Sequence, residues 1–583
     1  MGFFLKQFSI VFLAFFFALP IVGQEENVFL RRIQSHLIIK DYHSAREEAK
    51  TALDRFPNSI LLHETYIKTL SKTDDERLML NAWNAYVSLF PDKKNNRELI
   101  EEMAWGVLHK ASKSHSLPIR LMSMIAGFFS QDSRGIEMLR LSLNDSSNIV
   151  RAAAVMLSSK LRDTKLINEI ISLYKNETVW SVRKEVFQAI GKMKIKELIP
   201  ELEKLIASDE TLAEEKVLAI KSLVLLLEEN EIKRDAVIKL ANSNRAGLRL
   251  LASQVISHYR IERDLDQLFK LANDNHSEVR ASALQALGLI KPQGSEKNSA
   301  INIAKSKRKD PDPVVGISAA WLLTLYSQPE GLDTFEYYLQ NNKLEIKLLA
   351  SSALAATGKY GSVFALRRSN VDHEPYVQLN LALGLIGQQL GMSQSTEILE
   401  KVILSSKDKW IWHEEGIFRA VAPKYIKKSE SDPSTTSEMD NQIVRLEMLN
   451  VLAMIAPEKA QEPIRQFLIE RNWGVTGVAA ALLLMEGDSS AIDSVQQLLK
   501  DENLQVRIQA ALVLSLWGRE ESAINVLEQN YNTADKELKG KILEGIGRIG
   551  SINSVPFLIE ALKDPSQNLR IIAATALIQC LNH

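Results

Sequence analysis

Cysteine is nearly absent: Cys580 is the sole one in 583 residues. No intramolecular disulfide can form in any compartment, and no thiol near the N-terminus can take a lipid, so stability must come from packing. Net charge is equally scarce. Lys plus Arg number 71 and Asp plus Glu 72, which leaves no global field to attract nucleic acid or an anionic membrane. The motifs of common enzyme sites are missing too: no HExxH, no paired CxxC, no P-loop and no Gly-x-Ser-x-Gly elbow. With ten scattered histidines, no nucleophile or metal set is assembled, and the chain is expected to be non-catalytic and to use no cofactor. Alternating β-branched runs are few while Ala and Leu abound, which favours an all-α chain.

What is present is ordinary for a folded soluble protein: 46% hydrophobic and 25% charged residues. The chain is far too long for one compact core, so it must form several domains or an extended array. Residues 1–23 read as an export signal. Lys6 is followed by an apolar stretch, Phe8 to Leu19, then Pro20 and Ile21-Val22-Gly23, with cleavage expected after Gly23. A periplasmic or secreted protein is expected. The apolar run to Val22, about 15 residues, falls short of the roughly 20 that span a bilayer; an uncleaved anchor is the alternative, and the only membrane attachment of that kind.

Residues 24–112 form a first region. Ala45, Ala49 and Ala52 share one helix face, and Phe56-Pro57 ends that helix. The phrase returns as NAWNAYVSLFPD, with Pro91 placed 34 residues after Pro57. That period and the terminal proline resemble a tetratricopeptide helix pair, although the Trp and Gly usual in its first helix are missing.

From residue 113 to the end another unit repeats, most cleanly at NDNHSEVRASALQALGLI. Asp274 is followed six residues later by Arg280, then by small and apolar residues up to Gly288. The same spacing joins Asp145 to Arg151, Asp501 to Arg507 and Asp564 to Arg570. The Arg position can be followed through Arg120, Arg151, Arg183, Lys216, Arg249, Arg280, Gly316, Lys347, Gln378, Trp412, Arg445, Thr476, Arg507, Lys539 and Arg570. The step is about 32 residues, enough for two helices and two turns. The Asp can cap the helix that follows, and the Arg can fork onto the Asp of a neighbouring unit; a structural ladder is expected. The pattern resembles the short HEAT repeats of phycobilisome-lyase-like proteins. The resemblance implies a right-handed α-α superhelix of about fifteen units with tetratricopeptide-like hairpins at its N-terminus. Two polar interruptions, residues 291–300 and 427–440, read as a loop and a Ser- and Pro-rich segment.

Several motifs admit a second meaning. Gly545-Ile546-Gly547-Arg548-Ile549-Gly550 matches a dinucleotide fingerprint but follows no strand, so close helix packing explains it. His413-Glu414 is expected early in a second helix, where the HEAT-like deoxyhypusine hydroxylases carry iron-binding pairs; that family needs four pairs in register, and this chain offers one. A metal-dependent or lyase-like enzyme is thus an alternative without a ligand set. Lys305, Lys307, Arg308 and Lys309 could touch a membrane surface, but Asp310 and Asp312 follow at once.

The ladder fails in the middle of the array, at Gly316, Lys347, Gln378, Trp412 and Thr476, and Trp410, Trp412 and Trp473 lie nearby. In a HEAT-like superhelix the second helices line the concave side, and Trp is a residue type that anchors interfaces. Gln378, Trp410, Trp412, His413 and Trp473 are therefore expected to belong to a protein-binding surface centred on residues 372–480. The expected function is a noncovalent scaffold of the cell envelope or secreted space, with a protein partner and no nucleic acid.

Overall fold

The computed structural model describes residues 25–582 except 74–75, 131, 209, 228–233, 425–436, 470–488 and 519. The export signal, Trp473 and Thr476 lie outside the described residues, as does most of the segment 427–440, whose last residues open the helix Ser437–Ile455. The chain divides into two compact units, residues 1–189 with 518–583, and residues 190–517. Both are built from antiparallel helix pairs, as the small-residue faces require.

In the first unit, helix 25–38 pairs with Tyr42–Arg55 and Ile60–Lys72 with Glu76–Leu89. Ala45, Ala49 and Ala52 are all fully buried where these helices meet. Repeats with shorter first helices follow, such as Ser133–Ser142 with Asn148–Ser158. The unit is completed by the last two repeats of the chain. Its final helix, Gln567–Asn582, packs on Arg97–Ser112 and Leu117–Phe129. The ladder residue Arg570 donates to Glu76 at 2.6 Å, and Gln579 donates to the carbonyl of Phe129 at 3.2 Å. A terminal repeat must hide its open face; here the N-terminal helices cover it.

The ladder has a two-part geometry. Except at Arg445, which reaches the carbonyls of Ser406 and Asp408, the guanidinium turns one nitrogen back to the carbonyl six residues earlier: Arg280 to Asp274 at 2.8 Å, Arg507 to Asp501 at 2.7 Å, Arg570 to Asp564 at 2.9 Å and Arg183 to Glu177 at 3.0 Å. The remaining fork grips the carboxylate opening the next repeat. Arg120 holds Asp145 at 2.9 and 3.1 Å, Arg151 holds Glu177 at 2.8 and 3.2 Å, and Arg249 holds Asp274 at 2.6 and 2.8 Å. The turn aspartates do not cap helices. Asp145, Asp274, Asp501 and Asp564 accept the amide two residues on, still within the turn, so each closes an Asx turn.

Thirteen of the fifteen ladder positions fall on second helices among the described residues. Position 412 does not. The helix Met392–Ser405 pairs with Ser437–Ile455, and between them a β-hairpin replaces the expected helix: β1, Trp410–Glu415, antiparallel to β2, Phe418–Pro423. Position 412 therefore marks no unit of its own, and fifteen units is one too many in this stretch. The interruption at 291–300 is likewise shorter than its polarity suggests, because a helix already begins at Gly294 and runs to Lys307.

Other departures are matters of fit. A Cβ on Gly316 would lie 1.8 Å from the Tyr338 hydroxyl, so the missing Arg makes room for a buried tyrosine. Gly547 and Gly545 are helical and buried in Lys536–Ile549, and a Cβ on Gly547 would meet the Cα of Ala576 at 2.7 Å. That fingerprint is a helix-packing motif. Cys580 is buried, and burial pushes its thiol up to about 12.

Candidate functional site

The second unit carries the feature that composition gave no reason to expect. The sequence around the hairpin suits it locally: Trp410-Ile411-Trp412 and Val421 favour extended backbone. Glu415 pairs with Phe418, leaving a two-residue turn, Gly416-Ile417. Gly416 takes φ +64°, the positive value that hairpin turns of this length demand at their first position. A Cβ there would also lie 2.1 Å from the side-chain oxygen of Gln285.

The hairpin lies across a row of second helices. The amide of Ile417 donates to Gln285 Oε1 at 3.2 Å, on Ser277–Ile290. The Phe418 ring meets Trp321 of Pro313–Leu325 edge to face, with centroids 5.6 Å apart. The carbonyl of Arg419 accepts from the Ser352 hydroxyl at 2.7 Å, on Leu344–Ala355. Asn380 of Pro375–Gly387 takes both main-chain groups of Val421, accepting at 2.8 Å and donating at 2.9 Å. Alternate residues of a strand turn their N–H and C=O to the same edge. Residues 419 and 421 therefore present one edge of β2, the turn residue Ile417 continues it, and polar side chains from three repeats bond to it.

β1 is held on the opposite flank by Ser437–Ile455. Asn441 accepts the amide of Trp410 at 2.8 Å, Arg445 stacks 4.6 Å from the Trp410 ring, and Trp412 Nε1 donates to Glu447 at 2.6 Å. Above Trp412 sits the Arg419 guanidinium, 3.9 Å from the ring centroid and paired with Glu414 at 2.9 Å.

This arrangement corrects several expectations. Trp410 is fully buried, wedged against Tyr376 and Arg445, and offers nothing to a partner. Gln378 keeps the inward half of the ladder, donating to the Asp372 carbonyl at 2.8 Å; it replaces an Arg without opening a surface. Trp412 and His413 are half-buried on a strand, not on a second helix. Because neighbours on a strand point to opposite faces, His413 and Glu414 cannot converge on one ion. Among the described residues no group of three or more His, Cys, Asp or Glu is placed to hold a metal. Two residues of the basic run are tied down as well, Lys305 on Glu330 at 2.8 Å and Arg308 on Thr334 at 2.8 Å. Among the described residues no helix is long and apolar enough to cross a membrane.

Sequence reasoning missed Gln285, Ser352, Asn380 and Arg419. Only the hairpin itself had a local signal, the β-forming run broken by Gly416.

Stacked helix pairs joined by forked Arg–carboxylate contacts define a helical-repeat protein. A family model for HEAT repeats matches residues 136–224. No curated protein matches it. Among solved structures, the Kap95:Nup1 complex aligns over 92% of this chain and 77% of its own at 14% identity and a TM-score of 0.36. The UNC-45 chaperone aligns over 96% and 82% at 11% identity and 0.31. The CpcE and CpcF complex of phycocyanin lyase from Nostoc sp. PCC7120 aligns over 46% and 94% at 18% identity and 0.26. Similarity this low carries no statement about function.

Proposed function

We propose that the chain is a noncovalent protein-binding scaffold, exported to the cell envelope or secreted space, and that a protein partner docks on the hairpin-bearing face of residues 277–455. The observation that carries this reading is the Trp412–Arg419 stack. A half-buried Trp and a half-exposed Arg stand on a rigid hairpin, their geometry fixed by Glu414 and Glu447. Trp and Arg held ready in this way lose little conformational freedom when a partner covers them, which is how such pairs come to dominate interfaces. The frame beneath is stiff, because the hairpin is bonded to four second helices. The export half of the reading is supported by the sequence of residues 1–23 alone.

A photo-crosslinking side chain placed at His413 in living cells tests both halves, with Tyr337, an exposed residue of a first helix, as the comparison site. The expected result is a discrete adduct with another protein from position 413, absent from position 337, recovered in the envelope or medium. Equal adducts from both sites, or none from 413, refute the docking region. Recovery in the cytoplasm refutes export.

A further inference from the structure

The two edges of the hairpin are treated differently. The main-chain groups that face outward from the β1–β2 pair belong to residues 410, 412 and 414 on β1 and to 419, 421 and 423 on β2. Three observations fix this alternation: Val421 bonds Asn380 with both groups, Trp410 donates to Asn441, and Lys424 donates across the pair to Lys409. On β2 the carbonyl of Arg419 and both groups of Val421 are taken up by the helices. On β1 only the Trp410 amide is, by Asn441 of Ser437–Ile455, which flanks this edge at its Trp410 end. The outward N–H and C=O of Trp412 and of Glu414 meet no hydrogen-bond partner among the described residues. Glu414, Glu415 and Ile417 beside them are exposed.

We propose that the outer edge of β1 at Trp412 to Glu414 is a strand-addition site, taking an extended, basic segment of the protein partner as a third antiparallel or parallel strand. This rests on the docking region argued above and names the chemistry of what docks there. An open strand edge is a template for another chain, and two strands alone are marginal, whereas a third strand completes a sheet. The hairpin cannot flex away from an incoming strand, because its other edge is bonded to Gln285, Ser352 and Asn380. Charge selects the segment. Glu414, Glu415 and Glu447 surround the edge, and Arg419, the one cation in contact with them among the described residues, pairs with Glu414 and Glu447, so an incoming strand with Lys or Arg at alternate positions meets a flank that stays net negative. Trp412 supplies the apolar contact for the residue between.

The test uses the full chain and three fluorescent octapeptides: alternating Lys and Val, alternating Glu and Val, and the Lys–Val peptide with alternate backbone nitrogens methylated. Saturable binding is expected for the first, and binding at least tenfold weaker for the other two. Glu414→Pro removes one outward N–H and leaves the bonds to β2 intact, because Glu414 turns its amide away from that strand. It should weaken the Lys–Val peptide at least tenfold, and Glu414→Gln should weaken it less. No binding to the wild-type protein overturns the proposal, as does equal binding of the methylated peptide, which needs no variant to fold. In cells, an adduct from His413 that persists in the Glu414→Pro protein overturns strand addition while the docking region stands. Loss of every adduct from wild-type His413 removes the docking region itself.

Discussion

Asn380 pairs with Val421 as a neighbouring strand would, its side-chain amide accepting the Val421 N–H at 2.8 Å and donating to the Val421 carbonyl at 2.9 Å. A third bond, to the Tyr376 carbonyl at 2.8 Å, fixes the amide within its own helix. The side chain is almost fully buried, so either main-chain group of Val421, once orphaned, would lack water to replace it.

The two tryptophans of β1 separate by role. Trp410→Ala empties a fully buried site and is expected to cost about 3–5 kcal/mol of stability. Trp412→Ala gives up one cation–π contact and one hydrogen bond at a half-buried position, about 1 kcal/mol. Chemical denaturation of the two variants should show that order. The reverse order would mean that Trp412, not Trp410, anchors the hairpin.

Arg249→Lys tests the ladder. Lysine keeps the charge but cannot grip Asp274 with a fork and reach the Ser243 carbonyl together, as Arg249 does at 2.9 Å. A loss of about 1–2 kcal/mol is expected, visible as a lower melting temperature. Unchanged stability would show that the repeats stack without the stitch.

At the chain end, Arg570→Ala should loosen the last repeat from the N-terminal helices. Glu76, nearly buried and also 3.2 Å from Lys110, then loses its strongest partner. Hydrogen exchange should rise in Gln567–Asn582 and in Arg97–Ser112 together. A change confined to the last helix would separate the two.

Acid should unlock the ladder before it unfolds a single repeat. The hydrogen bond from Arg249 holds the Asp274 carboxyl below its ordinary 3.8, that from Arg151 holds Glu177 below 4.5, and that from Arg465 holds Asp501 below 3.8. A carboxylate whose folded value is depressed contributes its full stabilisation above the unfolded value and loses it as pH falls through the folded one. The melting temperature should therefore be flat above about pH 5 on this account and fall below about pH 4.5. The Asp274→Asn protein should show a shallower acid slope.

The helix pairs and their ladder could be read from the chain because both are local. An Asp, an Arg six residues on and a run of small residues all lie within one turn and one helix, so spacing alone reports them. The hairpin was hidden by its register: Trp412 falls 34 residues after Gln378, where another ladder residue was due. Trp410-Ile411-Trp412 and Gly416 suit strands, but the repeat spacing places a helix there. The residues that hold the hairpin left no trace in sequence. Gln285, Ser352 and Asn380 lie 132, 67 and 41 residues from their partners, and each stands in an otherwise ordinary second helix. Arg570 and Glu76 are the same case, 494 residues apart.

Residue-resolved hydrogen exchange on the full chain tests the difference between the two edges most directly. The Val421 amide should exchange slowly, and should become fast in Asn380→Leu while Leu344–Ala355 and Pro375–Gly387 remain protected. The Trp412 and Glu414 amides should exchange fast in the wild-type protein. Fast exchange at Val421, or protection at Trp412 and Glu414 equal to it, would contradict a hairpin sealed on one edge and open on the other.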